Sequence, residues 1–249
     1  MLVDAIAGPA TAAHRSSGRL SRYSSTLSAL LRTVRSDSVH HYGRPMSDTR
    51  AARIRADIVG LTRDHPVFGA VPRPVPVEVL DTGFSGMIHL ILGQQVSIEA
   101  ADAMYRRLVE TMGPVAPGTI LALDDATMRA CGFTRMKAGY ARSLAESVLD
   151  GLDLDGVAAT PVDEAITTLT GLRGIGRWTA ECFLLFSAGH RDVFPAGDLA
   201  LRRGWQELSG SAATPAEAEL RGLAERWAPR RSAAAHLIWH GYLVRRGRR

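Results

Sequence analysis

Residues 169–186 read LTGLRGIGRWTAECFLLF, with Gly171, Gly174 and Gly176 falling inside six residues ahead of a long apolar run. A helix over 162–170 is expected to end at Gly171 and a second to start near Gly176, so the glycines close a tight turn between two helices. The first amides of the second helix have no intrahelical partner. With no Cβ at 174 or 176, a phosphate can approach them at the positive end of that helix. Such a grip reads no base sequence. The same residues also suit a plain glycine-rich turn between packed helices. Twelve residues on, in VFPAGDLALRRGW, Pro195 and Gly197 form a turn and Asp198 stands where a helix N-cap belongs.

Outward from the hairpin, the pattern is helical from Thr49 onward. Helices are expected near 49–62, 84–93, 97–112, 124–130, 134–150, 162–170, 176–188, 198–208, 215–227 and 231–245. The only alternating stretch is PVPVEVL at 74–80. Thr214-Pro215-Ala216-Glu217 and Thr160-Pro161-Val162-Asp163 each read as a Thr N-cap with Pro at N1 and an acid at N3. The fold class is therefore all-α, with about 200 residues in a single domain.

Composition excludes several function classes. The 249 residues hold 46% hydrophobic and 22% charged residues, ordinary for a globular protein, and contain no run of 18 apolar residues to span a membrane. Two cysteines, Cys131 and Cys182, are too few for a disulfide framework or a four-cysteine zinc or iron–sulfur site. The eight histidines show no metal-ligand spacing. Lys137 is the only lysine among 30 basic residues, which suggests a GC-rich bacterial genome.

The formal charge of +5 is unevenly placed. Residues 1–45 carry +4 and the tail Arg245, Arg246, Arg248 and Arg249 another +4, which leaves −3 on residues 46–244. If the chain binds DNA, its contacts must then be local ones on a mildly acidic body, with the 245–249 tail as an accessory. Residues 1–45 are rich in Ser, Arg and Ala and read as a disordered leader, or as sequence ahead of a true start at Met46.

Taken together, LxGIGxWTA, an apolar helix and VFPxxD twenty residues after Trp178 resemble the helix-hairpin-helix superfamily of base-excision DNA glycosylases. The resemblance is to its 3-methyladenine DNA glycosylase II branch, which acts on alkylated bases. Three further stretches agree: FSGMIHLILGQQVSIEAA (84–101), CGFTRMKAGYARSLAESV (131–148) and ERWAPRRSAAAHLIW (225–239). The likeness covers about residues 50–245. It implies a two-lobed helical fold with the active site between the lobes, and a glycosylase domain over 46–249 with its hairpin at about 169–178. Branch members often carry an N-terminal β-rich domain, and this chain looks like a minimal form without it.

By position, the resemblance makes Asp198 the catalytic carboxylate. Trp178 stands where lyase members of the superfamily carry a nucleophilic lysine, which implies monofunctional hydrolysis without a Schiff base. Trp178 and Trp239 match pocket aromatics, while Cys182, Leu199 and His240 replace tyrosines of close relatives and imply a roomier base pocket. Core packing is the other reading of each tryptophan. Gln94 and Gln95 lie in the loop whose residue fills the gap left by a flipped base, or they satisfy a buried loop. Gly174, Gly176, Arg177, Arg231 and Ser232 are the expected backbone contacts, with a solvated basic turn as the ordinary account of Arg231. The carbonyls of Thr170, Leu172 and Ile175 match positions that hold a monovalent cation in related hairpins. No other cofactor and no iron–sulfur cluster is expected. The implied partner is double-stranded DNA with damaged bases, met by a monomer in the bacterial cytoplasm at the nucleoid. Two other readings remain open: a non-catalytic hairpin DNA-binding module, and a glycosylase for oxidised or deaminated bases.

Overall fold

Helix α1, Thr49–Asp64, buries Ile54, Ile58 and Leu61 on one stripe and turns Arg53, Arg55 and Arg63 outward. This computed structural model describes residues 49–247, so the leader reading and Arg248 and Arg249 lie outside the described residues. All of these residues fall within one compact unit, Gly43–Arg249. After a 3₁₀ turn at Pro66–Ala70 come α2 (Gly83–Gly93), α3 (Ile98–Met112), α4 (Pro117–Ala122), α5 (Asp125–Ala130), α6 (Arg135–Leu149), α7 (Leu154–Ala159) and α8 (Val162–Thr170). Then follow α9 (Arg177–Cys182), α10 (Leu199–Ser209), α11 (Glu217–Ala224) and α12 (Arg231–Arg245). Among the described residues there is no strand, and 74–80 is an extended connector whose Leu80 amide donates to the Phe186 carbonyl at 2.9 Å.

Two cores form. One gathers α2 to α9 around Met87, Ile91, Leu108, Leu144, Leu169, Phe183 and Leu184. The other joins α1 to α10, α11 and α12 around Ile54, Phe68, Leu185, Trp205, Trp227 and Leu237. The described residues thus begin and end in the second lobe, and the hairpin helix lies at the junction. The sequence predicts one helix over 176–188. Instead α9 relaxes after Cys182 into a π turn, Phe183–Ser187, closed by the Ala188 amide on the Phe183 carbonyl at 3.0 Å. The extra residue per turn changes the facing of successive side chains, so Phe183 and Leu184 enter one core and Leu185 the other.

The sequence reading missed α4 and α7, six residues each. It also misplaced two caps. The Thr160 hydroxyl donates to the Val157 carbonyl at 2.8 Å and so closes α7, while α8 starts at Val162. Thr214 bonds the Gln206 side chain and α11 starts later, at Glu217, with Glu219 accepting the Ala216 amide at 3.4 Å. The caps in use are Ser97, Asp124, Thr134, Asp153 and Asp198.

Candidate active site

The hairpin turn depends on Gly174. Its φ of +83° is left-handed, and a Cβ there would lie 2.2 Å from the Tyr140 ring of α6. The missing side chain therefore makes room for Tyr140, which corrects the expectation that it opens a path for phosphate. Gly176 is different: it is exposed, sits at φ −85° as the N-cap of α9, and a Cβ on it would meet nothing within 4 Å. The approach to the first amides of α9 is open there. Buried Ile175 anchors the hairpin, and its amide donates to the Leu172 carbonyl at 3.1 Å. Thr170 turns its hydroxyl back onto the Ile166 carbonyl at 2.8 Å.

Gln94 reaches the hairpin from the end of α2. Its Nε2 donates to the Gly174 carbonyl at 3.0 Å and to Thr179 Oγ1 at 3.2 Å. Gln94 is thus a tie between loop and hairpin, with both Nε2 protons engaged. Gln95 is exposed at φ +60°, a left-handed conformation uncommon for a residue with a Cβ, which projects it beyond the tie. Lys137 is buried, donates to the Leu92 carbonyl at 2.6 Å, and so fixes the end of α2 below this loop.

Asp198 caps α10 and is held by three N–H donors. Its Oδ1 accepts the Leu201 amide at 2.9 Å and the Trp239 indole Nε1 at 3.0 Å. Its Oδ2 accepts the Trp178 indole Nε1 at 3.0 Å. A carboxylate has about four lone-pair sites, so Oδ1 is filled while Oδ2 keeps one free for a further partner. The structure thus brings together Trp178 from α9, Asp198 from the 195–198 turn and Trp239 from α12, that is, elements from both lobes. One face of Trp239 is covered by Phe186, with centroids 5.2 Å apart and rings 26° from parallel. Behind Phe186, His236 stands edge-on, and burial pushes its pKa down to about 4, so it is neutral at physiological pH.

The other pocket residues divide. Cys182 is buried beside the carboxylate, and burial first, then the charges of Asp198 and Glu181, hold its thiol well above the usual range and therefore unreactive. Leu199 follows Asp198 with half its surface exposed. His240 bonds the Pro72 backbone, with its pKa lowered mainly by burial. One step along α12 from Trp239 rotates the side chain by roughly 100°, which brings it to the 71–73 segment.

Several expected phosphate contacts are engaged elsewhere. Arg231 forms two bonds to Asp192, at 2.7 and 2.9 Å, and a third to Glu225 at 2.7 Å. Ser232 is fully buried, and its hydroxyl donates to the His190 carbonyl at 2.6 Å. Both pin the start of α12 to the 190–193 segment. In the tail, Arg245 and Arg246 pair with Glu207 at 2.8 and 2.7 Å, so two of the four tail arginines share one carboxylate on α10, which offsets one of their charges. Arg177 is half-exposed beside the hairpin, with Nε on Glu181 at 2.9 Å. Glu181 is a residue that sequence reasoning missed. Its i,i+4 spacing from Arg177 was the available signal.

Among the described residues no group of three or more His, Cys, Asp or Glu is placed to hold a metal, and no helix is long and apolar enough to cross a membrane. The chain matches the family described as "HhH-GPD superfamily base excision DNA repair protein" over residues 88–230. This match spans the Gln94 loop, the hairpin and Asp198. The chain belongs to the HhH-GPD superfamily. Within it, the chain is 35% identical over 161 residues to DNA-3-methyladenine glycosylase 1 of Schizosaccharomyces pombe, covering 63% of this chain and 71% of that one. It is 32% identical over 168 residues to DNA-3-methyladenine glycosylase 2 of Escherichia coli K12, covering 63% and 57%. A solved structure of the S. pombe 3-methyladenine DNA glycosylase with abasic DNA superposes with a TM-score of 0.63 at 29% identity, over 75% of this chain and 95% of that one. The all-α, two-lobed HhH-GPD fold is thereby shared.

Proposed function

We propose that this chain is a monofunctional DNA glycosylase that releases alkylated purines of the 3-methyladenine and 7-methylguanine type from double-stranded DNA. The observation that carries this reading is the Asp198 carboxylate, held between Trp178 and Trp239 with one Oδ2 lone pair free. An alkylated purine in its nucleoside is already cationic. When the bond from the sugar C1′ to the base nitrogen breaks, its electron pair neutralises the base, which departs without being protonated. The sugar is left as an oxocarbenium ion, and the Asp198 charge stabilises it. Oδ2 accepts a proton from the water that adds to C1′, giving the abasic sugar. No cofactor enters these steps.

The other residues serve access. Rotating a nucleotide out of the stack costs a few kcal/mol and costs least for damaged bases. Gln95, projected at the loop tip, is the residue suited to the space left behind, with Gln94 as its anchor. The amides opening α9 at Gly176 and Arg177 suit a backbone phosphate, and the carbonyls of Thr170, Leu172 and Ile175 suit a monovalent cation beneath it. Trp239 has one face on Phe186, and its other face suits cation–π contact with an electron-poor base. Trp178 carries an indole and no amine, so no Schiff base forms at that position. The folded domain acts as a monomer on chromosomal DNA.

The test is a base-release assay across duplexes holding methylated, deaminated or oxidised bases. Release of 7-methylguanine and 3-methyladenine above the neutral oxidised bases supports the reading. Preferential release of an oxidised or deaminated base contradicts it.

A further inference from the structure

Glu181 lies one turn beyond Arg177 on α9, only 2% exposed. Both of its cationic partners use one oxygen: Arg177 Nε at 2.9 Å and Arg221 Nη1 at 2.7 Å, both on Oε1. The other oxygen, Oε2, is buried with no hydrogen-bond partner. Arg221 continues the chain through Nη2 to Glu217 Oε1 at 2.8 Å. The second oxygen of Glu217 would lie 3.1 Å from a Cβ placed on Gly197, so the carboxylate rests against the residue before Asp198. A second brace runs alongside it. Arg202 takes the Asp198 carbonyl with its amide at 3.0 Å and the Pro215 carbonyl with its Nε at 2.7 Å.

Stability alone is a poor account of this arrangement. Burying a carboxylate costs several kcal/mol, apolar side chains of like volume often do as well or better, and an oxygen left without a donor adds to the cost. A through-space field is a poor account too, because two arginines and two glutamates sum to zero charge. What the chain does is join two places. Its start, Arg177, is at the hairpin, and its end is at the turn that carries Asp198.

We propose that Glu181, acting through Arg221 and Glu217, is a positioning residue that holds the Asp198 turn at a fixed place relative to the hairpin helix. Duplex gripped at the hairpin then presents its sugar in register with Oδ2. This rests on the reading of Asp198 as the catalytic carboxylate. A misplacement near 1 Å at a reacting group is enough to cost roughly 100-fold in rate.

The experiment measures single-turnover release of 7-methylguanine, affinity for undamaged duplex and thermal unfolding for Glu181→Gln, Arg221→Gln, the double variant and Asp198→Asn. Arg221→Gln leaves Glu181 paired with Arg177, so the buried charge stays compensated, and this variant carries the test if Glu181→Gln does not fold. Expected is a roughly 10- to 100-fold slower release in the folded single variants. Duplex affinity should stay equal to that of the unchanged chain, or become tighter in Glu181→Gln as Arg177 is freed. The double variant restores charge balance and should stay slow. Unchanged release in folded Arg221→Gln, recovery in the double, or release and affinity falling together overturns the proposal. If Asp198→Asn is slow while Arg221→Gln is not, only the positioning role fails. If Asp198→Asn releases base at the full rate, the Asp198 reading fails and the positioning role with it.

Discussion

Trp178 and Asp198 stand twenty residues apart in the chain and meet through a 3.0 Å bond from indole Nε1 to Oδ2. That bond sets the consequence of an amide at 198. Oδ1 already accepts two donors, so an asparagine must place its oxygen there and its NH₂ against the Trp178 N–H. Two donors then face each other without an acceptor, at a cost of about 1–3 kcal/mol. Replacing Trp178 by Phe removes one of them. The double variant Asp198→Asn/Trp178→Phe should therefore unfold at a higher temperature than the two single losses predict when added. Strictly additive losses would show that the indole bond contributes nothing.

The two hairpin glycines should separate folding from binding. Gly174→Ala forces a Cβ into a left-handed backbone and into the Tyr140 ring, and should lower thermal stability by more than about 1 kcal/mol. Gly176→Val meets open space in an extended backbone, so stability should hold. It should weaken binding to damaged and undamaged duplex alike by roughly tenfold, the loss of about one charge-assisted bond. Gly176→Val that binds both duplexes as before would remove the phosphate from this end of α9.

The same contrast shows what the sequence conveyed. The hairpin, the apolar helix and Asp198 were legible because each rests on local rules: glycine at a turn, helical periodicity, aspartate at an N-cap. The grouping of Trp178, Asp198 and Trp239 was legible only through resemblance. What stayed hidden depends on partners distant in sequence. Gln94 and Gln95 look equivalent as letters, yet Gln94 finds the Gly174 carbonyl eighty residues away and Gln95 projects outward. Arg231 and Arg245 look like free cations until Asp192 and Glu207 are placed beside them. His240 differs from Trp239 only by a rotation about α12.

Strand cleavage should require added alkali, and borohydride should trap no covalent adduct with damaged duplex. Trp178 offers no amine, and Lys137, with its pKa lowered by burial, is buried and spent on the Leu92 carbonyl. Gel analysis after borohydride treatment checks this. A trapped species would assign a covalent mechanism.

His236 makes stability depend on pH in a defined window. Its folded pKa of about 4 lies below the unfolded value of 6.5, so between these the unfolded chain binds the extra proton. Stability from the neutral ring is complete above pH 6.5 and is lost as pH falls toward 4, to an extent of up to roughly 3 kcal/mol. Thermal unfolding from pH 7 to 4.5 should show this decline, and His236→Asn should flatten it. An equal slope in both proteins would place the pH dependence on other groups.

The most direct test is single-turnover release of 7-methylguanine by folded Asp198→Asn, read beside its affinity for undamaged duplex. The N-cap bond to Leu201 survives the substitution, while the negative charge beside the sugar does not. Expected are near-unchanged duplex affinity and release slowed by at least the ~10²–10³-fold that follows loss of one transition-state electrostatic group. Release at the rate of the unchanged chain would leave Asp198 as a helix cap and contradict the assignment of the site.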